Sequence, residues 1–213
     1  MPNVGTREEI ISELAAESAR ERLGLFVGTG FSKAASEERA PTFGQLLERL
    51  AQALGVKIDF NDPQYKYKTP PQVASQLLEG FSKAHSGNVP ASRAFRAKVA
   101  DICTILPAPS KRVWHQDALK KIAASWVITT NYDEILECLI HPHVSVLPSD
   151  SFSASKTRTP ILHIHGQRLY PETIRITEED YVGLLTPFDY QRFKLPLLIF
   201  ESTTLMLATA QAI

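Results

Sequence analysis

Hydrophobic residues in this chain form short continuous runs, each followed by glycine or polar residues. The runs predict strands over residues 23–27, 126–130, 160–165 and 203–208, and a shorter strand over 144–147. A short apolar run of this kind is typical of a strand that both faces of a parallel sheet bury. The longer segments between the runs have apolar residues at helical spacing.

Two capping boxes mark the starts of predicted helices, Thr6 with Glu9 and Thr42 with Gln45, and Gly55 ends the second of these helices. The first helix has one apolar face, which consists of Ile10, Ile11, Leu14 and Ala15. Further helices are predicted over residues 71–84, 91–104, 115–124 and 134–139, and from Thr177 onward.

Strands that alternate with helices indicate an α/β fold, here a Rossmann-like parallel sheet flanked by helices. The helix-rich block at about residues 56–104 is longer than one crossover connection needs, so we predict a small helical insertion or lid there. The 213 residues fit a single domain.

Composition narrows the classes of function. Lys plus Arg is 23 and Asp plus Glu is 23, so the chain lacks the basic excess of a typical nucleic-acid-binding protein. Residues 195–213 are the most apolar stretch, but Glu201 and three threonines make it too polar to cross a bilayer. The sequence has two cysteines, Cys103 and Cys138, which are far apart and in no CxxC. This excludes a four-cysteine zinc module and suits a reducing cytoplasm. The amino terminus has no signal-peptide pattern, and we expect a cytoplasmic protein.

Three polar motifs follow the predicted strands, and ligands of open α/β sheets bind at these carboxyl ends. The first is Gly28-Thr-Gly-Phe-Ser32, a glycine turn before a helix. Glycines let backbone approach a diphosphate closely, and a helix amino terminus offers free N–H groups. The motif lacks the third glycine of GxGxxG and the GK[ST] of a P-loop, and a tight turn that needs small residues is the alternative interpretation.

The second motif, Thr129-Thr-Asn-Tyr-Asp133, places an amide and a carboxylate directly after a buried strand. Asn131 and Asp133 could bind a ribose diol or a carboxamide, while Asp133 could equally cap the next helix. The third motif is His163-Ile-His-Gly166. On a strand, these two histidines would point to the same face. A histidine there could orient or deprotonate a hydroxyl, could be a buried hydrogen-bonded residue, or could chelate a metal with its neighbour.

In this order the three motifs resemble those of the sirtuin-like family, which combines a G-A-G-x-S loop, a T-x-N-x-D segment and an H-G motif. Supporting matches are Pro41-Thr-Phe43, the helix that contains His115, and Ile176-Thr-Glu-Glu-Asp-Tyr181. The T-T-N-Y-D and T-E-E-D-Y stretches, and the missing zinc cysteines, are more similar to bacterial anti-phage effectors than to protein deacylases.

The resemblance implies that NAD⁺ is a substrate, hydrolysed to nicotinamide and ADP-ribose without a metal, in a homo-oligomer or a defence complex. Alternatives are a non-enzymatic module that binds NAD⁺ or ADP-ribose, and an NAD-dependent deacylase. The implied catalytic residues are Asn131, which positions the attacking water, and His165, which binds or deprotonates a ribose hydroxyl or that water. The implied NAD⁺-binding residues are Gly28, Thr29, Gly30, Phe31, Ser32, Thr130, Asn131, Asp133 and Gly166.

The chain departs from the family pattern at its carboxyl end. The family usually continues past the last strand into a glycine-rich loop and further strands, whereas this sequence stops soon after residues 203–208. We therefore expect a carboxyl end that is truncated relative to the family, with a less complete adenosine side of the site.

Overall fold

The computed structural model describes residues 5–59, 67–150, 157–183 and 190–207. Its strands form one five-stranded sheet in the order β3-β4-β2-β1-β5, and every neighbouring pair is parallel. The strands are β1 (Leu23–Val27), β2 (Trp126–Thr129), β3 (His143–Val146), β4 (Thr159–His163) and β5 (Thr203–Leu207). The predicted Rossmann-like α/β architecture is therefore confirmed.

Helices connect and cover the strands. They are α1 (Arg7–Ala19), α2 (Thr29–Ala35), α3 (Phe43–Leu54), α4 (Pro70–Ala84), α5 (Ala91–Ile102), α6 (Pro109–Ile122), α7 (Ile135–Leu139), α8 (Glu178–Gly183) and α9 (Tyr190–Glu201). Both predicted capping boxes are formed, at Thr6 and Thr42, and Gly55 ends α3 with a left-handed φ of 68°. In the described part of the chain, no helix is long and apolar enough to cross a membrane.

Each face of the sheet has its own core. On one face Leu25, Val27, Val127 and Ile161 pack against α2, α6 and α7. On the other face Trp126, Ile128 and Leu162 pack against Leu195 and Leu198 of α9. Trp126 lies directly over Gly24, where a Cβ would be 2.0 Å from the indole ring. The glycine in β1 therefore makes room for a large side chain in β2.

A third core lies among α3, α4 and α5, whose buried residues include Leu50, Leu77 and Phe95. Tyr132, Ile174 and Ile176 belong to the same cluster, so this helical layer packs on the segments that follow β2 and β4. In this layer, α3 packs with α4 and α5, the two helices of the block at about residues 56–104. The layer places helices close to the ends of the strands that carry the polar motifs.

Several details differ from the sequence prediction. Strand β4 ends at His163 rather than at His165, and α2 already begins at Thr29. Ile10 and Ile11 on the apolar face of α1 are exposed, whereas Glu17 of that helix is buried. The sequence pattern did not predict α9, which contains Pro196. Residues 60–66 of the predicted loop, residue 208 of the predicted last strand and the rest of the carboxyl end lie outside the described residues.

Candidate functional site

A cavity of about 280 Å³ lies at the carboxyl ends of β1, β2 and β4, beneath the helical layer. Its polar wall is formed by Thr29, Thr42, Thr130, Asn131, Asp133, His165 and Tyr181. Its apolar wall includes Phe26, Pro41, Phe43, Leu46 and Ile105. Binding sites for small molecules are commonly apolar clefts of this kind with a few convergent polar groups.

The three sequence motifs meet at this cavity, although not every predicted residue lines it. Of the predicted NAD⁺-binding and catalytic residues, those that line it are Gly28, Thr29, Thr130, Asn131, Asp133 and His165. Gly30, Phe31, Ser32 and Gly166 are not among the lining residues. Phe31 and Ser32 are buried in α2, where Phe31 packs in the core between the sheet and the helices.

Asn131 is held on both sides by residues of α2. Its Nδ2 donates to Ser32 Oγ at 2.8 Å, and its Oδ1 accepts from Thr29 Oγ1 at 3.4 Å. Its backbone N–H donates to Thr129 Oγ1 at 3.1 Å, and that hydroxyl donates to the Val27 carbonyl. These bonds fix the orientation of the Asn131 amide. Ser32 orients it without itself lining the cavity.

Asp133 lies at the cavity and contacts the start of α7. Its Oδ1 accepts the N–H of Ile135, the first residue of α7, at 3.1 Å, and Asp133 is among the residues that line the cavity. Burial raises the pKa of Asp133 from 3.8 to about 6, although hydrogen bonds from Ile135 and Ser32 act in the opposite direction. At pH 7 the group is mostly ionised and incompletely stabilised.

His165 lies beyond the end of β4 and contacts Tyr181. The Tyr181 hydroxyl is 3.4 Å from His165 Nδ1, and the two rings pack edge to face with centroids 5.1 Å apart. Burial, together with the Arg175 charge, lowers the pKa of His165 from 6.5 to about 4. The imidazole is therefore neutral at pH 7, so one of its nitrogens is available as an acceptor.

His163, the other histidine of the third motif, has a different environment. It is fully buried, and its Nε2 is 2.6 Å from Glu137 Oε1, while its Nδ1 is 3.3 Å from the Asn131 carbonyl. Gln167 Nε2 and Ser145 Oγ donate to the same Glu137 oxygen, each at 2.8 Å. The expectation that the two histidines share one strand face was wrong, because the strand ends between them.

Two glycines of the motifs, Gly28 and Gly166, have roles in the backbone structure. Gly166 has a φ of 86°, and a Cβ there would lie 2.2 Å from the Thr173 carbonyl oxygen, so only glycine fits this turn. The Gly28 N–H donates to the Leu207 carbonyl at 3.3 Å, which ties the end of β1 to β5. Any N–H groups for a phosphate would come from the first turn of α2, since the first N–H groups of a helix have no intrahelical acceptor.

Sequence reasoning did not assign roles to Tyr181, Glu137 or the apolar wall. The Thr177-Glu-Glu-Asp-Tyr181 stretch was the one sequence signal for Tyr181, because it accompanied the three motifs in the resemblance. Glu137 is one of several acids after β2, and its pairing with His163 depends on tertiary contacts. In the residues that the structure describes, no group of three His, Cys, Asp or Glu side chains is arranged to hold a metal ion.

A second cavity, of about 430 Å³, lies on the face of the sheet covered by α6 and α7. Leu25, Lys120 and His141 are among the residues that line it. None of the residues of the three motifs contributes to its wall. Although it is larger, it is remote from the polar groups that converge at the first cavity.

Comparison with known families agrees with the motifs. A family described as the SIR2-like domain matches residues 125–209, which include β2, β4 and β5 with the second and third motifs. No curated protein matches the chain. The SIR2-like family includes NAD-utilising enzymes, which points to an NAD-related function. This match over the second half of the chain, together with the motifs, supports a sirtuin-like domain.

Proposed function

We propose that this chain is an NAD⁺ glycohydrolase. The bond between the nicotinamide nitrogen and ribose C1′ breaks, and its electron pair stays on the nicotinamide. Water forms the new bond to C1′ and loses one proton, which gives nicotinamide, ADP-ribose and H⁺. Nicotinamide is cationic when attached and leaves as a neutral molecule, so the reaction needs no general acid for the leaving group.

The observation that carries this proposal is the convergence of Asn131, Asp133 and His165 on one cavity with a largely apolar wall. The SIR2-like match supports NAD⁺ as the ligand. The three groups supply an oriented amide, an ionised carboxylate and a neutral imidazole. A hydrolytic site that stabilises positive charge at C1′ and positions a water needs these three components.

Each residue has a distinct role in the proposed reaction. The Asp133 carboxylate stabilises the oxocarbenium-like charge at the ribose, and a site of low dielectric strengthens this interaction. Asn131, held by Ser32 and Thr29, orients the attacking water. His165 accepts a hydrogen bond or a proton from that water or from a ribose hydroxyl. Thr29 and the first turn of α2 lie beside the diphosphate.

The proposed setting is a cytoplasmic enzyme that depletes NAD⁺ in anti-phage defence, as a homo-oligomer or as a subunit of a defence complex. The resemblance of the T-T-N-Y-D and T-E-E-D-Y stretches to bacterial effectors supports it. Induced expression in bacteria, followed by NAD⁺ quantification and phage plaque counts, tests this setting separately from the chemistry.

The chemistry is tested by incubating the purified chain with NAD⁺ and following nicotinamide and ADP-ribose by chromatography. We expect Asn131→Ala and His165→Ala each to lower the rate by about 10³-fold, because each removes a group that acts on the reacting atoms. His141→Ala is the matched control, since this exposed histidine lines the second cavity. Its rate is expected to equal that of the wild type.

Three results would contradict the proposal. Equal nicotinamide release by the wild type and both site variants would remove Asn131 and His165 from the reaction. Release that depends on an added acyl-lysine peptide would indicate a deacylase. Calorimetric binding of NAD⁺ or ADP-ribose at the site, without any turnover, would indicate a binding module.

A further inference from the structure

Tyr181 is the aromatic residue of α8 that reaches the polar wall of the first cavity. It lines the cavity together with His165, and its hydroxyl is 3.4 Å from His165 Nδ1. The near-perpendicular ring packing, at 77°, holds the imidazole against the phenol. Among the described side chains, Tyr181 is therefore a direct polar neighbour of the proposed catalytic histidine.

The residue before Tyr181 anchors α8 to the helical layer. Asp180 Oδ1 forms a 2.6 Å ion pair with Arg96 of α5, and Asp180 Oδ2 accepts the backbone N–H groups of Ile176 and Thr177 at 2.9 and 3.0 Å. Arg96 Nε also donates to the Ile174 carbonyl at 2.9 Å. The half-buried pair thus fixes the start of α8 relative to α5.

A second set of contacts joins α8 to α4. Ser75 Oγ donates to Glu179 Oε2 at 2.9 Å and accepts the Glu178 N–H at 3.0 Å, while Gln72 Nε2 donates to Glu178 Oε1 at 3.2 Å. Together with the Arg96 ion pair, these bonds place Tyr181 by means of two helices. The position of the phenol is therefore set by the helical layer rather than by α8 alone.

The contact between the phenol and the imidazole allows two arrangements. If Tyr181 donates to Nδ1, the imidazole proton is on Nε2, and the ring has no acceptor left. If Nδ1–H donates to the phenol oxygen, Nε2 keeps its lone pair, as a general base requires. In this second arrangement the phenol keeps its own proton, because burial and the nearby Asp180 raise the pKa of Tyr181 to about 12.

We infer that Tyr181 is a positioning residue that accepts the His165 Nδ1–H and so keeps Nε2 of that histidine available as the acceptor. This inference rests on the proposed hydrolysis for its catalytic consequence. Which imidazole nitrogen of His165 carries the proton is a property of the protein alone and can be measured without substrate. The helical layer then contributes to the reaction by holding α8 over the cavity.

Tyr181→Phe tests the inference, because it removes the hydroxyl and keeps the ring that packs on His165. ¹⁵N NMR of histidine-labelled protein at pH 7 reports which imidazole nitrogen carries the proton. The wild type is expected to show His165 with a protonated Nδ1, and Tyr181→Phe to shift the population toward a protonated Nε2. We also expect kcat to fall about tenfold with KM within twofold of the wild-type value.

Tyr170→Phe is the matched control. This exposed tyrosine also follows the His163-Ile-His-Gly166 motif, but it is not among the residues that line the first cavity. It should change neither the His165 nitrogen signals nor the kinetics. Unchanged His165 nitrogen signals in Tyr181→Phe would overturn the inference, whatever the activity. A shift of those signals in a chain that does not cleave NAD⁺ would support the positioning role and overturn the proposed hydrolysis.

Discussion

Two carboxylates of the same segment, the buried Asp133 and the partly buried Glu137, have pKa values shifted in opposite directions. Burial raises the pKa of both groups, but the hydrogen bonds and charge of His163, with a further bond from Ser145, bring that of Glu137 below its usual value. At Asp133 the effect of burial exceeds that of the hydrogen bonds from Ile135 and Ser32, and the pKa rises to about 6. Asp133 is among the residues that line the first cavity, and Glu137 is not.

The two histidines of the third motif show the same contrast. His163 is fully buried between Glu137 and the Asn131 carbonyl, where its polar atoms have partners. Among the described residues, the side chain of His165 has a long polar contact with Tyr181, and its pKa is lowered to about 4. Groups with shifted pKa values inside a cleft are candidates for function. Glu137 and His163 instead pair with each other through Glu137 Oε1, while Glu137 Oε2 has no hydrogen-bond partner among the described residues. Asp133 and His165 line the cavity and have shifted pKa values, which makes them the candidates for function.

The largest expected effect is on the unfolding free energy, and it distinguishes the Glu137–His163 pair from the cavity residue His165. Glu137→Ala leaves Nε2 of the buried His163, and the donors of Gln167 and Ser145, without the Glu137 oxygen that they contact, and we expect a loss of about 4 kcal/mol in unfolding free energy. His165→Ala is expected to lose less than about 1 kcal/mol, because it enlarges an existing cavity. Urea unfolding measures both values, and Ser145→Ala, which removes one bond to Glu137, should cost about 1 kcal/mol. Equal losses of unfolding free energy in Glu137→Ala and His165→Ala would contradict the difference between the Glu137–His163 pair and the cavity.

A smaller effect concerns the pH dependence of stability at Asp133. Because the folded pKa of about 6 is above the unfolded value of 3.8, ionisation destabilises the folded state as pH rises through this window. The unfolding free energy of Asp133→Asn, relative to the wild type, should therefore increase by about 3 kcal/mol between pH 3 and pH 8. Urea unfolding at a series of pH values checks the sign. A difference that stays constant with pH would show that Asp133 is as well compensated as Glu137.

Local sequence signals predicted most of the fold. Continuous apolar runs located β1, β2 and β5, and the capping boxes at Thr6 and Thr42 located the starts of two helices. The convergence of the motifs was also predictable, since the carboxyl ends of parallel strands share one edge of the sheet. These features depend on residues that are close together in the sequence, so the spacing of residue types along the chain predicts them.

The remaining features depend on contacts between distant segments. The predicted strand continues to His165, but β4 ends at His163, before the turn in which Gly166 packs on the Thr173 carbonyl. Helix α9 contains Pro196, which sequence rules count against a helix. Tyr181 reaches His165 because Arg96, 84 positions from Asp180, anchors α8. Spacing along the chain does not encode such pairs.

The most direct test of the proposed site is a crystal structure of Asn131→Ala soaked with NAD⁺, since this variant is expected to bind the dinucleotide without cleaving it quickly. We expect intact NAD⁺ with its nicotinamide ribose C1′ in the first cavity, within about 4 Å of both the Asp133 carboxylate and the His165 ring. Clear density for the dinucleotide in the second cavity, beside Lys120 and His141, with the first cavity empty, would contradict it.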